Sequence, residues 1–224
     1  MDSQKKLNLR FLISAGAAIL LVFMGGCKTS PSSDKREEKT AASSAAKGGS
    51  DFNLNLNCVI DSIQNPTESF HYTYKKDTED DNLVQDADIT PDSINGSSKS
   101  KYATREIKGV KSDSASWSSA WTGLMAISGM SSTIAIVNHS SAMVRESTGK
   151  MNGYDAAQYS IDTSRGNAAE AGLYKATLGD GGFEKGTVWV NAKGCPVQLS
   201  LDSEMHLNNG GLAKQHYEIQ MVKK

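Results

Sequence analysis

The sequence predicts an α+β fold carrying an antiparallel sheet, on three observations. Residues 69–75 alternate Phe70, Tyr72 and Tyr74 with His71 and Thr73, which is the period of a half-buried strand. Residues 187–201 hold two apolar runs around the turn-prone Asn191-Ala192-Lys193-Gly194, and read as a hairpin. Between these regions Trp117, Ala120, Trp121, Leu124 and Ile127 or Ser128 recur at helical spacing.

The elements follow in chain order. Cys58, Val59, Ile60 and Ile63 suggest a short helix that stops at Asn65-Pro66, because proline disfavours helix at the residue before it. After the strand at 69–75, residues 83–90 and 100–110 read as further strands, with Asn95-Gly96 as the turn between them. Asp113 or Ser114 caps a helix over 115–130 that Gly129 weakens, and residues 133–137 fit either a continuing helix or a strand. Asn152-Gly153 separates strands near 142–148 and 154–162, and residues 168–175 form a short helix crossing over the sheet. Val197, Leu199 and Leu201 alternate in the returning arm of the hairpin. Beyond Asn208-Asn209-Gly210-Gly211, Tyr217, Ile219 and Met221 repeat that alternation and extend a meander.

The first fifty residues are of another kind. Lys5, Lys6 and Arg10 precede an apolar stretch over 11–23, the order of parts in a secretory signal. The stretch is shorter than the roughly 20 residues that span a bilayer. It ends in Met24-Gly25-Gly26-Cys27, which resembles the lipobox of bacterial lipoproteins, with Met24 where leucine is most often found. The resemblance implies cleavage before Cys27, a diacylglycerol on its sulfur and a fatty acyl group, such as palmitate, on the new amino terminus. The other reading is a signal peptide that happens to end in cysteine. Lys28 in place of aspartate resembles the signal for outer-membrane delivery, so the expected address is the cell envelope, facing the periplasm or exterior, on the outer membrane in preference to the inner.

Residues 28–50 lack aromatic and large aliphatic side chains and cannot offset the entropy of ordering, so they read as a disordered tether about 25 Å in root-mean-square span. The expected organisation is a signal peptide over 1–26, a lipidated cysteine and tether over 27–50, and one folded domain over 51–224. The formal charge of the chain is −1. Removing residues 1–26 takes away Asp2, Lys5, Lys6 and Arg10, a net +2, and leaves −3. A mildly acidic body argues against nucleic acid as a partner.

With Cys27 given to lipid, Cys58 and Cys195 remain as an even pair. In an oxidising compartment they are expected to form a disulfide; two unrelated buried thiols are the alternative.

Two further stretches carry a family resemblance. Residues 146–155, with Asn152-Gly153-Tyr154, followed by Gln158-Tyr159-Ser160-Ile161-Asp162, look like a strand pair of LolA/LppX-like periplasmic and lipid-anchored proteins. Gly186-Thr187-Val188-Trp189-Val190 with Cys195-Pro196-Val197 is similar to a later hairpin of that group. The resemblance covers about the last half of the domain. It implies a curved antiparallel sheet, an open half-barrel with helices packed on its concave side, enclosing an apolar cavity for acyl chains. An anchored chain suits binding, presentation or short-range handover more than shuttling.

Any cavity wall is expected from the central helix, which puts forward Trp117, Trp121, Met125 and Met130 as ligand-binding residues; the same stripe also reads as plain core. Catalysis finds little support. His71, His139, His206 and His216 lack metal-ligand spacing, and no metal or other cofactor is expected. Ser147 with Lys150, and Ser98 with Lys101, match a serine-x-x-lysine spacing without its companion motifs. The acidic run 77–88 lacks the glycine and the final glutamate of a calcium loop. The leading expectation is therefore a membrane-anchored envelope lipoprotein that binds lipid or another apolar ligand and is not an enzyme. A structural or interaction lipoprotein without a ligand cavity is the alternative, and a hydrolase the third reading.

Overall fold

A nine-stranded antiparallel sheet organises the described residues, in the order β4-β3-β2-β1-β9-β8-β7-β6-β5. The computed structural model describes residues 54–130 and 141–224, which belong to the compact unit Ala45–Lys224. Cys27, the signal, the tether over 28–50 and residues 133–137 lie outside the described residues.

The first meander comprises β1 (Phe70–Thr78), β2 (Asn82–Ile89), β3 (Ser93–Lys99) and β4 (Thr104–Val110). Hydroxyl side chains at the turns take up backbone N–H groups: Thr78 Oγ1 accepts from Asp81, and Thr90 Oγ1 from Ser93. At the third turn Ser100 Oγ accepts from Ala103. Asn95-Gly96 is no turn. Both residues lie inside β3, where Gly96 pairs with Ala87 and Ile107. A Cβ on Gly96 would stand 2.1 Å from the Asp86 carbonyl oxygen, so glycine here marks a close approach of strands.

The second meander comprises β5 (Met143–Met151), β6 (Tyr154–Asp162), β7 (Phe183–Asn191), β8 (Pro196–His206) and β9 (Leu212–Lys223). Its first turn is Asn152-Gly153, with φ of 54° and 86°; both residues of this two-residue loop must adopt positive φ. Pairing of β9 with β1 joins the two meanders at the middle of the sheet.

Helix α1 (Asn57–Gln64) buries Val59 and Ile63. Its Cys58 forms the predicted disulfide with Cys195, at the β7–β8 turn, across a Cα separation of 5.6 Å. Helix α2 (Ser114–Gly123) starts at the Asp113 cap, whose carboxylate accepts from the N–H groups of Ala115 and Ser116. The expected single helix over 115–130 is shorter: it stops at Gly123, and a 3-10 turn, Met125–Met130, follows. Ser128 Oγ donates to the Met125 carbonyl, a local bond that competes with α-helical continuation. Helix α3 (Ala168–Leu178) carries a full capping box between Asn167 and Glu170.

Residues directly opposite in the ladder share a face, and one face is apolar. Across it run Tyr74, Ile219, Leu199, Val188 and Tyr159, each paired with the next. Trp117, Ala120, Leu124, Ile127 and Met130 pack into the same core as these strand residues. Helix α2 lies over β3 and β4, close enough that a Cβ on Gly109 would meet Ala120 Cβ at 2.6 Å. Helix α3 contributes Tyr174 and Leu178 to a smaller cluster with Ala142, against Met205 of β8.

Candidate functional site

Charged chemistry is concentrated on the sheet face opposite the core. There His71 bonds Asp88 at 2.8 Å and Asp86 at 3.2 Å, while Lys224 reaches Asp88 at 2.6 Å. Six strand positions away His216 lies against Asp202 at 2.7 Å and Glu218 at 3.5 Å, and Lys75 bonds Glu218 at 2.7 Å. Burial works against the His216 imidazolium, but the hydrogen bonds it donates to the two carboxylates outweigh it and raise the histidine's pKa. His206 pairs with Glu204 at 3.1 Å. These histidines are occupied by carboxylates, and no group of three metal-ligating side chains occurs among the described residues. His139 lies outside them.

Neither lysine of the serine-lysine pairs is bonded to its serine: Lys101 Nζ donates to the Asp80 carbonyl at 3.2 Å. Ser147 Oγ donates to Gln158 Oε1 and Lys150 Nζ to Asp155, so each has its own partner. In the acidic turn Asp81 accepts the N–H of Lys101, which ties one hairpin end to the next.

The four residues put forward from the central helix are placed in or against the core. Trp117 donates its indole N–H to the Gln64 carbonyl at 3.0 Å under the Lys111 ammonium, which stands 4.4 Å from the ring. Met130 is fully buried; Trp121 and Met125 are half-buried against the core. The two clefts described next are lined by other residues.

The larger cleft, about 610 Å³, opens at one end of β5, β6 and β7. Ala157, Tyr159 and Val190 supply its apolar floor, and Arg145, Lys150 and Asp155 its charged rim. Tyr159 is buried opposite Val188, and Ala157 pairs with Val190, so the cleft continues the apolar face of the sheet. A β-bulge shapes its rim. Arg145 pairs with Tyr159, the register then shifts, and Ser147 pairs with Gln158 and Thr148 with Ala157. Arg145, Thr148 and Lys150 thereby share the cleft side. Glu146, the extra residue, bonds Ser160 Oγ at 2.5 Å. Sequence reasoning missed Arg145, Ala157 and Val190. Strand alternation alone would have put Ser147 and Gly149 on this side, and no local signal announces a bulge.

A second cleft of about 300 Å³ lies beside the disulfide, lined by Ser62, Glu68, Tyr154 and Lys193 among others. Burial, then the nearby Glu68 carboxylate, pushes the Tyr154 hydroxyl up to about 12. Lys223 ion-pairs with Glu68 at 2.7 Å.

Glu184 is the most unusual side chain of the apolar face. It has no exposed surface and neither carboxylate oxygen has a hydrogen-bond partner, although its backbone N–H donates to Thr163 Oγ1 at 2.9 Å. Burial pushes its pKa up to about 8, so the group holds a proton at neutral pH. Its ladder partner Ser203 is buried as well. The Tyr72 hydroxyl and Gln85 Oε1 are likewise buried without a partner, while Gln85 Nε2 donates to Gly123 at 2.7 Å. Phe183, next to Glu184, is 39% exposed: the expected order of apolar inside and charged outside is inverted there.

Comparison with known proteins finds no family model that matches the chain, and no match among curated proteins or solved structures.

Proposed function

We propose that the chain is a lipoprotein of the bacterial cell envelope, anchored through Cys27, preferentially to the outer membrane, that binds lipid or another apolar ligand without catalysis. The sheet is proposed to curve about its apolar face as an open half-barrel, with α1 and α2 on the concave side. Val59 and Ile63 of α1 and Trp117 and Ala120 of α2 support that placement by packing with the inward strand residues.

The observation that carries the ligand reading is the floor of the larger cleft. Ala157, Tyr159 and Val190 offer apolar surface within about 610 Å³, a volume in the range of small-molecule sites. A core residue row normally ends at polar surface; here it ends in a recess. Native mass spectrometry of the full chain extracted from membranes is the direct test. The expected species carries acyl groups on Cys27 and a further, noncovalently bound lipid. Ala157→Phe fills the recess and is expected to remove the bound lipid while leaving the anchor. Lipid occupancy unchanged by this substitution would displace the ligand from the cleft, and an unacylated Cys27 would end the anchor reading.

One observation favours the alternative, a structural or interaction lipoprotein. Trp117 and Met130 of the central region are buried in the core, and Trp121 and Met125 pack half-buried against it. That reading expects copurifying protein partners and a chain free of bound lipid.

A further inference from the structure

The rim of the β5–β7 cleft carries a charge asymmetry that the bulge creates. In an uninterrupted β5, alternation from Arg145 would bring Ser147 and Gly149 to the cleft and turn Lys150 away. The register shift after Arg145 instead brings Thr148 opposite Ala157 and Lys150 opposite Asp155, so both cations of the strand stand on the apolar side. The anion between them, Glu146, is bonded to Ser160 Oγ, and Ser160 pairs with Val144 and Thr187, off the row that holds Tyr159. Bulges commonly serve to re-aim side chains in this way.

The two cations are not equivalent. Lys150 is neutralised by Asp155 at 2.9 Å, the one carboxylate on the rim. Arg145 is exposed and has no ion pair among the described residues. It stands beside Tyr159 with apolar floor on one side, and a guanidinium presents a planar fork of donors suited to a carboxylate or phosphate.

We propose that the cleft takes an amphiphile with a single anionic head, a carboxylate or a phosphate monoester, the head on Arg145 and the tail along Ala157, Tyr159 and Val190. This inference rests on the cleft being the ligand site proposed above and adds the charge of the ligand and the residue that reads it. A neutral lipid satisfies the floor and leaves Arg145 unpaired, whereas an anionic one satisfies both.

Isothermal titration of the full chain with laurate, dodecyl phosphate and monolauroylglycerol, each below its micelle concentration, separates the possibilities. Laurate and dodecyl phosphate are expected to bind more tightly than monolauroylglycerol. Arg145→Gln is expected to weaken the two anions about tenfold, the usual scale for losing a charge-assisted pair, and to leave monolauroylglycerol unchanged. Arg145→Lys should recover part of the loss, which a folding defect would not allow. Inorganic phosphate should not compete with laurate; if it does, the head alone is recognised and the amphiphile is wrong. Equal binding of laurate to the native chain and to Arg145→Gln overturns the role of Arg145 while leaving apolar binding intact. Absence of binding by all three amphiphiles overturns this inference together with the ligand reading beneath it.

Discussion

At the residue scale Glu184 carries the clearest physical consequence. Its carboxyl is buried without a partner and titrates near 8, against 4.5 for an unperturbed glutamate. The raised folded-state value means that unfolding releases a proton between those two pH values. Its contribution to stability is therefore full below about 4.5 and is lost as pH rises towards 8, by at most about 1.4 kcal/mol per pH unit. Glu184→Gln keeps the shape and removes the titration. Urea midpoints of both proteins at pH 5, 7 and 9 are expected to diverge as pH rises, the variant being the more stable at pH 9; parallel profiles would contradict the burial of this group. The position is partly legible in sequence. Val188 and Val190 set the phase of β7, and counting back by twos reaches Gly186 and Glu184. Local hydrophobicity argues the reverse, because Phe183 is the apolar neighbour. The phase wins because a strand cannot change face without a bulge, and the β7 register is regular from Phe183 to Trp189.

Elements were legible where short-range chemistry decides them. Asn152-Gly153 ends β5 because the loop needs two residues with positive φ, and Asn65-Pro66 follows α1 because proline restricts the residue before it. Asp113 starts α2 by accepting two N–H groups that the helix leaves unbonded. Asp113→Ala is accordingly expected to cost about 1 kcal/mol in urea denaturation, with Ser114→Ala nearly neutral; equal effects would mean that the cap is not the cause. Asn95-Gly96 shows the limit of such reasoning. The same dipeptide type makes a turn at 152–153 and a mid-strand position at 95–96, since strand neighbours on both sides of β3 claim its backbone groups. The bulge at Glu146 was illegible for the same reason, being defined only by the partner strand.

For the whole molecule the disulfide is the long-range constraint most open to measurement. Cys58 and Cys195 are 137 positions apart, and the bond links α1 to the β7–β8 turn. Replacing both by alanine is expected to lower stability by about 2–5 kcal/mol, read as a reduced urea midpoint relative to the oxidised protein. An unchanged midpoint would show that β1–β9 pairing and the core already hold these ends together. The order of the strands lies beyond any local pattern. The sequence by itself determined strand phases, helix starts, two-residue turns and the number of cysteines left to pair, because periodicity, capping and turn dihedrals act over a few neighbouring residues. Only the tertiary structure decided that β9 lies beside β1, that a bulge turns Arg145 and Lys150 onto one side, and that Glu184 is sealed from water. Those outcomes depend on which distant strand supplies the opposing hydrogen bonds, a choice made by the summed burial of the whole apolar face.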